Sequence, residues 1–158
     1  AQPDVVFLPN YEFEVPIQVQ QAKALGMTST FLGSDSWGSI TPENRPQLAG
    51  SYFSDQFSPQ TDSPKAQVFI ERFQQTYNQL PTAVAASTYD AIMLVAQTIQ
   101  QEGKATPAAI RQGLSEIGQF EGVTGTIEFR NTGDPIRSAV ILQIQGDEFV
   151  FHKQVNPQ

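Results

Sequence analysis

Residues 4–33, DVVFLPNYEFEVPIQVQQAKALGMTSTFLG, decide the fold class. The run Asp4-Val5-Val6-Phe7-Leu8 is apolar at consecutive positions after its first residue and is ended by Pro9-Asn10. Such a run suits a strand buried on both faces, as in a parallel sheet covered by helices. Val15, Val19 and Ala22 then fall on one helical stripe, with Gln18, Gln20, Gln21 and Lys23 elsewhere, and Gly26 supplies a stop. Thr30-Phe31-Leu32-Gly33 reads as the next short strand. Strand, helix and strand form one unit with a right-handed crossover, so the expected class is α/β.

Downstream, three Ser/Thr-Pro pairs read as helix starts: Thr41-Pro42, Ser63-Pro64 and Thr106-Pro107. In each, the hydroxyl would cap and the proline would take the first helical position. The helix after Ser63 places Phe69, Ile70, Phe73, Tyr77 and Leu80 on one side, opposite Gln67, Glu71, Gln74 and Gln75. From Val84 to Ile99 the pattern is apolar nearly all round, which predicts a largely buried helix. Pro107 to Ile117 predicts a shorter amphipathic one. After residue 118 the period changes: Thr126–Phe129, Ala139–Ile144 and Phe149–Phe151 read as strands. The segments Asn131-Thr132-Gly133-Asp134-Pro135 and Gly146-Asp147 are the turns between them. An antiparallel hairpin therefore closes an α/β body.

The 158 residues suffice for one domain or two small lobes. Charged residues make up only 16%, against about 25% in soluble proteins generally, yet the 39% hydrophobic content is too well patterned for a disordered chain. A net charge of -7 leaves no basic patch for a phosphate backbone, so a nucleic-acid partner is excluded. No apolar stretch approaches the ~20 residues of a transmembrane helix, and no signal-peptide pattern opens the chain. The absent initiator Met suggests a processed or truncated piece. Zero cysteines rule out disulfides and thiolate chemistry.

Two strand exits carry the most information, Pro9-Asn10-Tyr11-Glu12-Phe13-Glu14 and Gly33-Ser34-Asp35-Ser36-Trp37-Gly38. In open α/β sheets ligands sit outside the carboxyl ends of the strands. Together these loops offer an aromatic hydroxyl, a carboxylate, an indole and small residues, a set suited to a small polar ligand bearing an ammonium group. The alternative stays open: Asp35 can equally be a turn or cap residue, and Tyr11 and Trp37 packing. Tyr89-Asp90 stands on the buried helix, where packing and helix–helix hydrogen bonding compete with ligand contact. His152 reads as a surface or sheet residue, and Asp55 and Asp62 as solvated loop charges. Glu12 and Glu14 lack a second element for a glycosidase-like pair. Phosphate-loop, dinucleotide, Ser-His-Asp and metal-helix motifs are absent, so no enzyme, metal or cofactor is expected.

The strings PDVVFLPNYEFE, QQAKALGM, FLGSDSWG, AGSYFSDQF and ASTYDAIMLVAQTIQ, closed by GVTGTIEFRNTGDPIRSAVILQIQGDEFV, occur in an order that resembles one family. It is the C-terminal half of type I periplasmic binding proteins, the branched-chain amino-acid (Leu/Ile/Val) receptors. The resemblance implies the fold of a bilobal receptor fragment, with parallel sheets flanked by helices and a C-terminal antiparallel hairpin. It assigns 1–50 plus 123–158 to the second lobe and 51–122 to the closing part of the first. The crossovers would lie near Ser51–Phe57 and Phe120–Gly125.

Functionally, the resemblance implies a solute-binding component of an ABC importer for branched-chain or other neutral amino acids, periplasmic or membrane-anchored. Asp35 would hold the ligand ammonium and Tyr11 would contact the ligand by hydroxyl and ring. Trp37 would cover the apolar side, and Tyr89 is a further candidate. Groups that receive the α-carboxylate belong to the half of the family's chain not present here. Partners would be the amino acid, a membrane permease, and the missing N-terminal half or a second copy of this chain. Two rivals remain: a receptor of the same fold for amides, urea or aromatic acids, and a truncated self-associating or protein-binding module without ligand binding.

Overall fold

A computed structural model describes residues 2–129 and 133–157. The chain divides into two compact units, Ala1–Gln60 with Ala139–Val155, and Thr61–Ser138 with Asn156–Gln158. The division falls at 60/61 and 138/139. Residues 51–60 and 123–138 thus group differently from the lobe boundaries expected at 51 and 123.

The first unit is an α/β layer. Strands β1 (Val5–Leu8), β2 (Thr30–Gly33) and β3 (Tyr52–Asp55) run parallel. The C-terminal strands β7 (Ala139–Gln145) and β8 (Glu148–Val155) extend the sheet antiparallel, in the order β1-β2-β3-β7-β8. The expected hairpin is therefore not an appendage, because β7 pairs with β3 from Tyr52↔Gln143 to Asp55↔Val140. Helix α1 (Val15–Ala24), with Pro16 in its first turn, buries Val15 and Val19 completely. At about 1.5–3 kcal/mol for each large aliphatic buried, these two side chains fasten α1 to the sheet. They meet Phe31, Phe53 and the inward residues of β7, Val140, Leu142 and Ile144, which alternate with period two.

β1 departs from expectation. It is an edge strand, and Val5 and Phe7 are largely exposed while Val6 and Leu8 pack on the core. Among the described residues nothing packs over the face that carries Val5 and Phe7, so the run is buried on one face only.

In the second unit, α2 (Pro64–Tyr77) and α3 (Ala83–Glu102) precede α4 (Pro107–Glu116). Ser63 and Thr106 cap α2 and α4 by accepting from Ala66 N and Ala109 N, as their Ser/Thr-Pro pairs predict. Thr41-Pro42 opens only a 3-10 turn, Pro42–Asn44, because Pro46 follows too soon for an α-helix to continue. α2 stops at Asn78 in the left-handed region (φ 53°), so Leu80 lies beyond the helix and is exposed. A three-stranded antiparallel sheet, β4 (Gln119–Gly122), β5 (Gly125–Phe129) and β6 (Pro135–Arg137), completes the unit. The turn expected at Asn131-Thr132 lies outside the described residues. The segments expected as crossovers, 51–57 and 120–125, are built as β3 and as the β4–β5 hairpin.

α3 is not the largely buried helix its composition predicts. Ala86, Asp90 and Thr98 are buried, but Val84, Ile92 and Met93 face outward. Within this unit α3 packs on α4 and β4. A Cβ on Gly113 of α4 would overlap Thr98, so glycine permits their close approach. The face that carries Val84, Ile92 and Met93 is left uncovered by the described residues.

Candidate functional site

The parallel pairing of β1 and β2, in register from Val5↔Thr30 to Leu8↔Gly33, brings their carboxyl ends side by side. Adjacent strands lie about 4.8 Å apart, so the two exit loops must leave as neighbours. Three bonds organise them. Trp37 Nε1 donates to the Leu8 carbonyl at 3.1 Å, Ser36 Oγ donates to the Asn10 carbonyl at 2.7 Å, and Ser34 Oγ lies 3.1 Å from Ser36 Oγ.

Tyr11 begins the turn that leads into α1, its carbonyl accepting from Glu14 N and Val15 N. Its side chain is 65% exposed and its ring lies parallel to that of Phe13, 6.0 Å away and 5° between planes. Asp35 opens the 3-10 turn Asp35–Ser39 and is exposed, with Oδ1 accepting from Ser36 N at 3.1 Å. Tyr11 and Asp35 therefore stand, accessible, on adjacent linked loops at the carboxyl ends of the parallel strands β1 and β2.

Trp37 does not join them. It is 0% exposed, tilted against Phe53 at 6.3 Å, and seated where a Cβ on Gly33 would overlap its ring. The indole fills the space that glycine leaves, which makes it core rather than a ligand cover and corrects the sequence expectation. Asp55 also differs from its reading as a solvated loop charge. It ends β3, is 7% exposed, accepts from Gln56 N at 2.7 Å and lies against Gly38 of the Asp35 turn. Gly38 offers no side chain, so the carboxylate fits there.

Tyr89 belongs to the second unit. Its ring packs on Phe69 at 4.8 Å, and it lines a groove of about 470 Å³ with Phe73 and Tyr77, rimmed by Lys65 and Arg72. Beside it, Asp90 is buried. Its carboxylate accepts from Val123 N at 2.7 Å, Thr124 N at 2.9 Å and Thr124 Oγ1 at 2.5 Å. The partner is the β4–β5 turn, not a neighbouring helix as expected. His152, on β8, is exposed with its ring edge-on to Tyr52 at 5.1 Å. Glu14 accepts from Asn10 Nδ2 at 3.3 Å and precedes α1, so the Glu12/Glu14 pair shares no strand face. Among the described residues no group of three or more metal-ligating side chains converges, and no helix is long and apolar enough to cross a membrane.

Sequence reasoning missed Ser36 and Asn10, whose bond ties the loops together. Their only advance signal was their place next to Asp35 and Tyr11.

Comparison with known proteins agrees with this fold. A family model described as periplasmic binding protein matches residues 1–148. The leucine-, isoleucine-, valine-, threonine- and alanine-binding protein of Pseudomonas aeruginosa is 27% identical over 132 residues, covering 82% of this chain and 35% of its own. Among solved structures, a leucine-binding protein, LivK, from Thermotoga maritima has a TM-score of 0.86 at 27% identity, covering 98% of this chain and 45% of that one. The branched-chain amino-acid transporter substrate-binding protein LivJ from Streptococcus pneumoniae, in complex with isoleucine, has a TM-score of 0.85 at 26% identity with the same coverage. The chain thus spans less than half the length of these relatives, which are binding proteins and not enzymes.

Proposed function

The chain belongs to the periplasmic binding protein family, and we propose that it supplies one side of a binding site for neutral, branched-chain-type amino acids. Asp35 pairs with the ligand ammonium, and Tyr11 contacts the ligand through its hydroxyl and ring. The observation that supports this reading is the placement of these two exposed residues on hydrogen-bonded loops at the carboxyl ends of β1 and β2. The relatives' amino-acid ligands support the substrate class.

An exposed carboxylate in water binds an ammonium weakly, and the pair strengthens as a second surface excludes solvent. The exposed Val5 and Phe7 of β1, and the outward apolar face of α3, favour a covering partner. That partner is the remaining half of a family-length receptor or a second copy of this chain. The assembled protein works outside the cytoplasm, periplasmic or membrane-anchored, and passes its ligand to the membrane permease of an ABC importer.

A thermal-shift screen of the intact polypeptide against the amino acids tests the reading. Stabilisation by leucine, isoleucine or valine is expected; indifference to every amino acid contradicts it.

A further inference from the structure

We infer that Ser36 is a positioning residue for this site, holding the Asp35 turn at a fixed separation from the Tyr11 loop. The inference rests on the amino-acid reading above. Ser36 follows Asp35, and its hydroxyl donates to the carbonyl of Asn10, which precedes Tyr11. One hydrogen bond therefore joins the immediate chain neighbours of both ligand groups. At 2.7 Å it has the usual length of a well-formed O–H···O bond. The same residue also orients the carboxylate, since its backbone N–H donates to Asp35 Oδ1. Ser34 Oγ, 3.1 Å from Ser36 Oγ, can donate to it and leave the Ser36 proton for Asn10.

Ser36 shares the anchoring of the turn with two neighbouring contacts, so loosening it loosens Trp37 beside it. Trp37 Nε1 is bonded to Leu8 O, and the Asp55 carboxylate fills the space beside Gly38, where a Cβ would lie 2.7 Å from Asp55 Oδ2. These contacts hold the middle of the turn; the Ser36 bond holds the end that carries Asp35. A site that grips an ammonium between a carboxylate and an aromatic residue needs both held to within about 0.5 Å. Ser36 acts through the two loops it joins.

The test compares Ser36→Ala and Ser36→Thr with the wild type in the intact polypeptide. Leucine affinity is measured by calorimetry, and acrylamide quenching reads the fluorescence of Trp37, the only tryptophan. Ser36→Ala should weaken leucine about fivefold to tenfold, the net worth of one hydrogen bond, and should increase quenching of Trp37. Ser36→Thr, which keeps the hydroxyl, should restore both. Wild-type affinity and quenching in Ser36→Ala, or failure of threonine to restore them, overturns the inference. A wild type indifferent to leucine refutes the amino-acid reading instead. The Trp37 quenching of the three proteins then decides alone whether Ser36 anchors the turn.

Discussion

Replacing Asp90 by alanine removes the acceptor that closes the β4–β5 turn onto α3. The carboxylate is 2% exposed and receives the Val123 and Thr124 amides and the Thr124 hydroxyl. A Cβ on Gly122 would stand 2.6 Å from its Cγ, so the turn and the carboxylate are fitted to each other. With alanine the hydroxyl can rotate to another partner, but the two buried amides cannot. Each buried donor left unsatisfied costs about 1–3 kcal/mol. Relief of the buried charge's desolvation offsets part of this, which leaves a loss of about 2–4 kcal/mol for Asp90→Ala. Asp90→Asn keeps the shape and one acceptor oxygen but turns an N–H₂ toward donors, and should lose about half as much. Urea unfolding followed by circular dichroism measures both, and the alanine variant's melting temperature should fall by on the order of 10 °C. A loss below about 1 kcal/mol for Asp90→Ala would refute the reasoning, since it would mean that the amides find other partners at little cost.

Two further expectations concern the first unit and the solution state. The Glu43 carboxyl titrates below its ordinary value of 4.5, chiefly because its own backbone amide, and then the Thr41 hydroxyl, hydrogen-bond the charged form. A group depressed in the fold favours the folded state above its unfolded pKa, and that contribution is lost as pH falls through the lower folded value. An NMR titration giving Glu43 a value at or above 4.5 contradicts this local geometry. The uncovered β1 edge and α3 face predict that the 158-residue chain by itself associates at micromolar concentration. A clean 17.4 kDa monomer by light scattering counts against it.

What the sequence made legible were features written in local chemistry. The consecutive apolar residues of β1, the stripe of Val15 and Val19, and the Ser63-Pro64 and Thr106-Pro107 caps are short-range signals, and each element forms where they stand. What it hid depends on contacts distant along the chain. Nothing near Asp55 announces that Gly38, seventeen positions earlier, leaves room for a carboxylate. Nothing near Trp37 shows that its indole will bond the carbonyl of Leu8, twenty-nine positions earlier. The exposure of Val5, Phe7, Ile92 and Met93 fails differently. Their pattern encodes burial, but no described residue covers them. At the candidate site, strand-exit logic singles out Tyr11 and Asp35 as candidates, whereas the Ser36–Asn10 bond emerges only from the fold.

The most direct test of the account is calorimetric titration of leucine into the intact polypeptide and its Asp35→Ala variant. Binding by the wild type, weakened by about 2–5 kcal/mol when the ammonium loses its carboxylate, is the predicted result. Leucine binding of equal affinity in both proteins would contradict the assignment of Asp35 as the group that holds the amino acid.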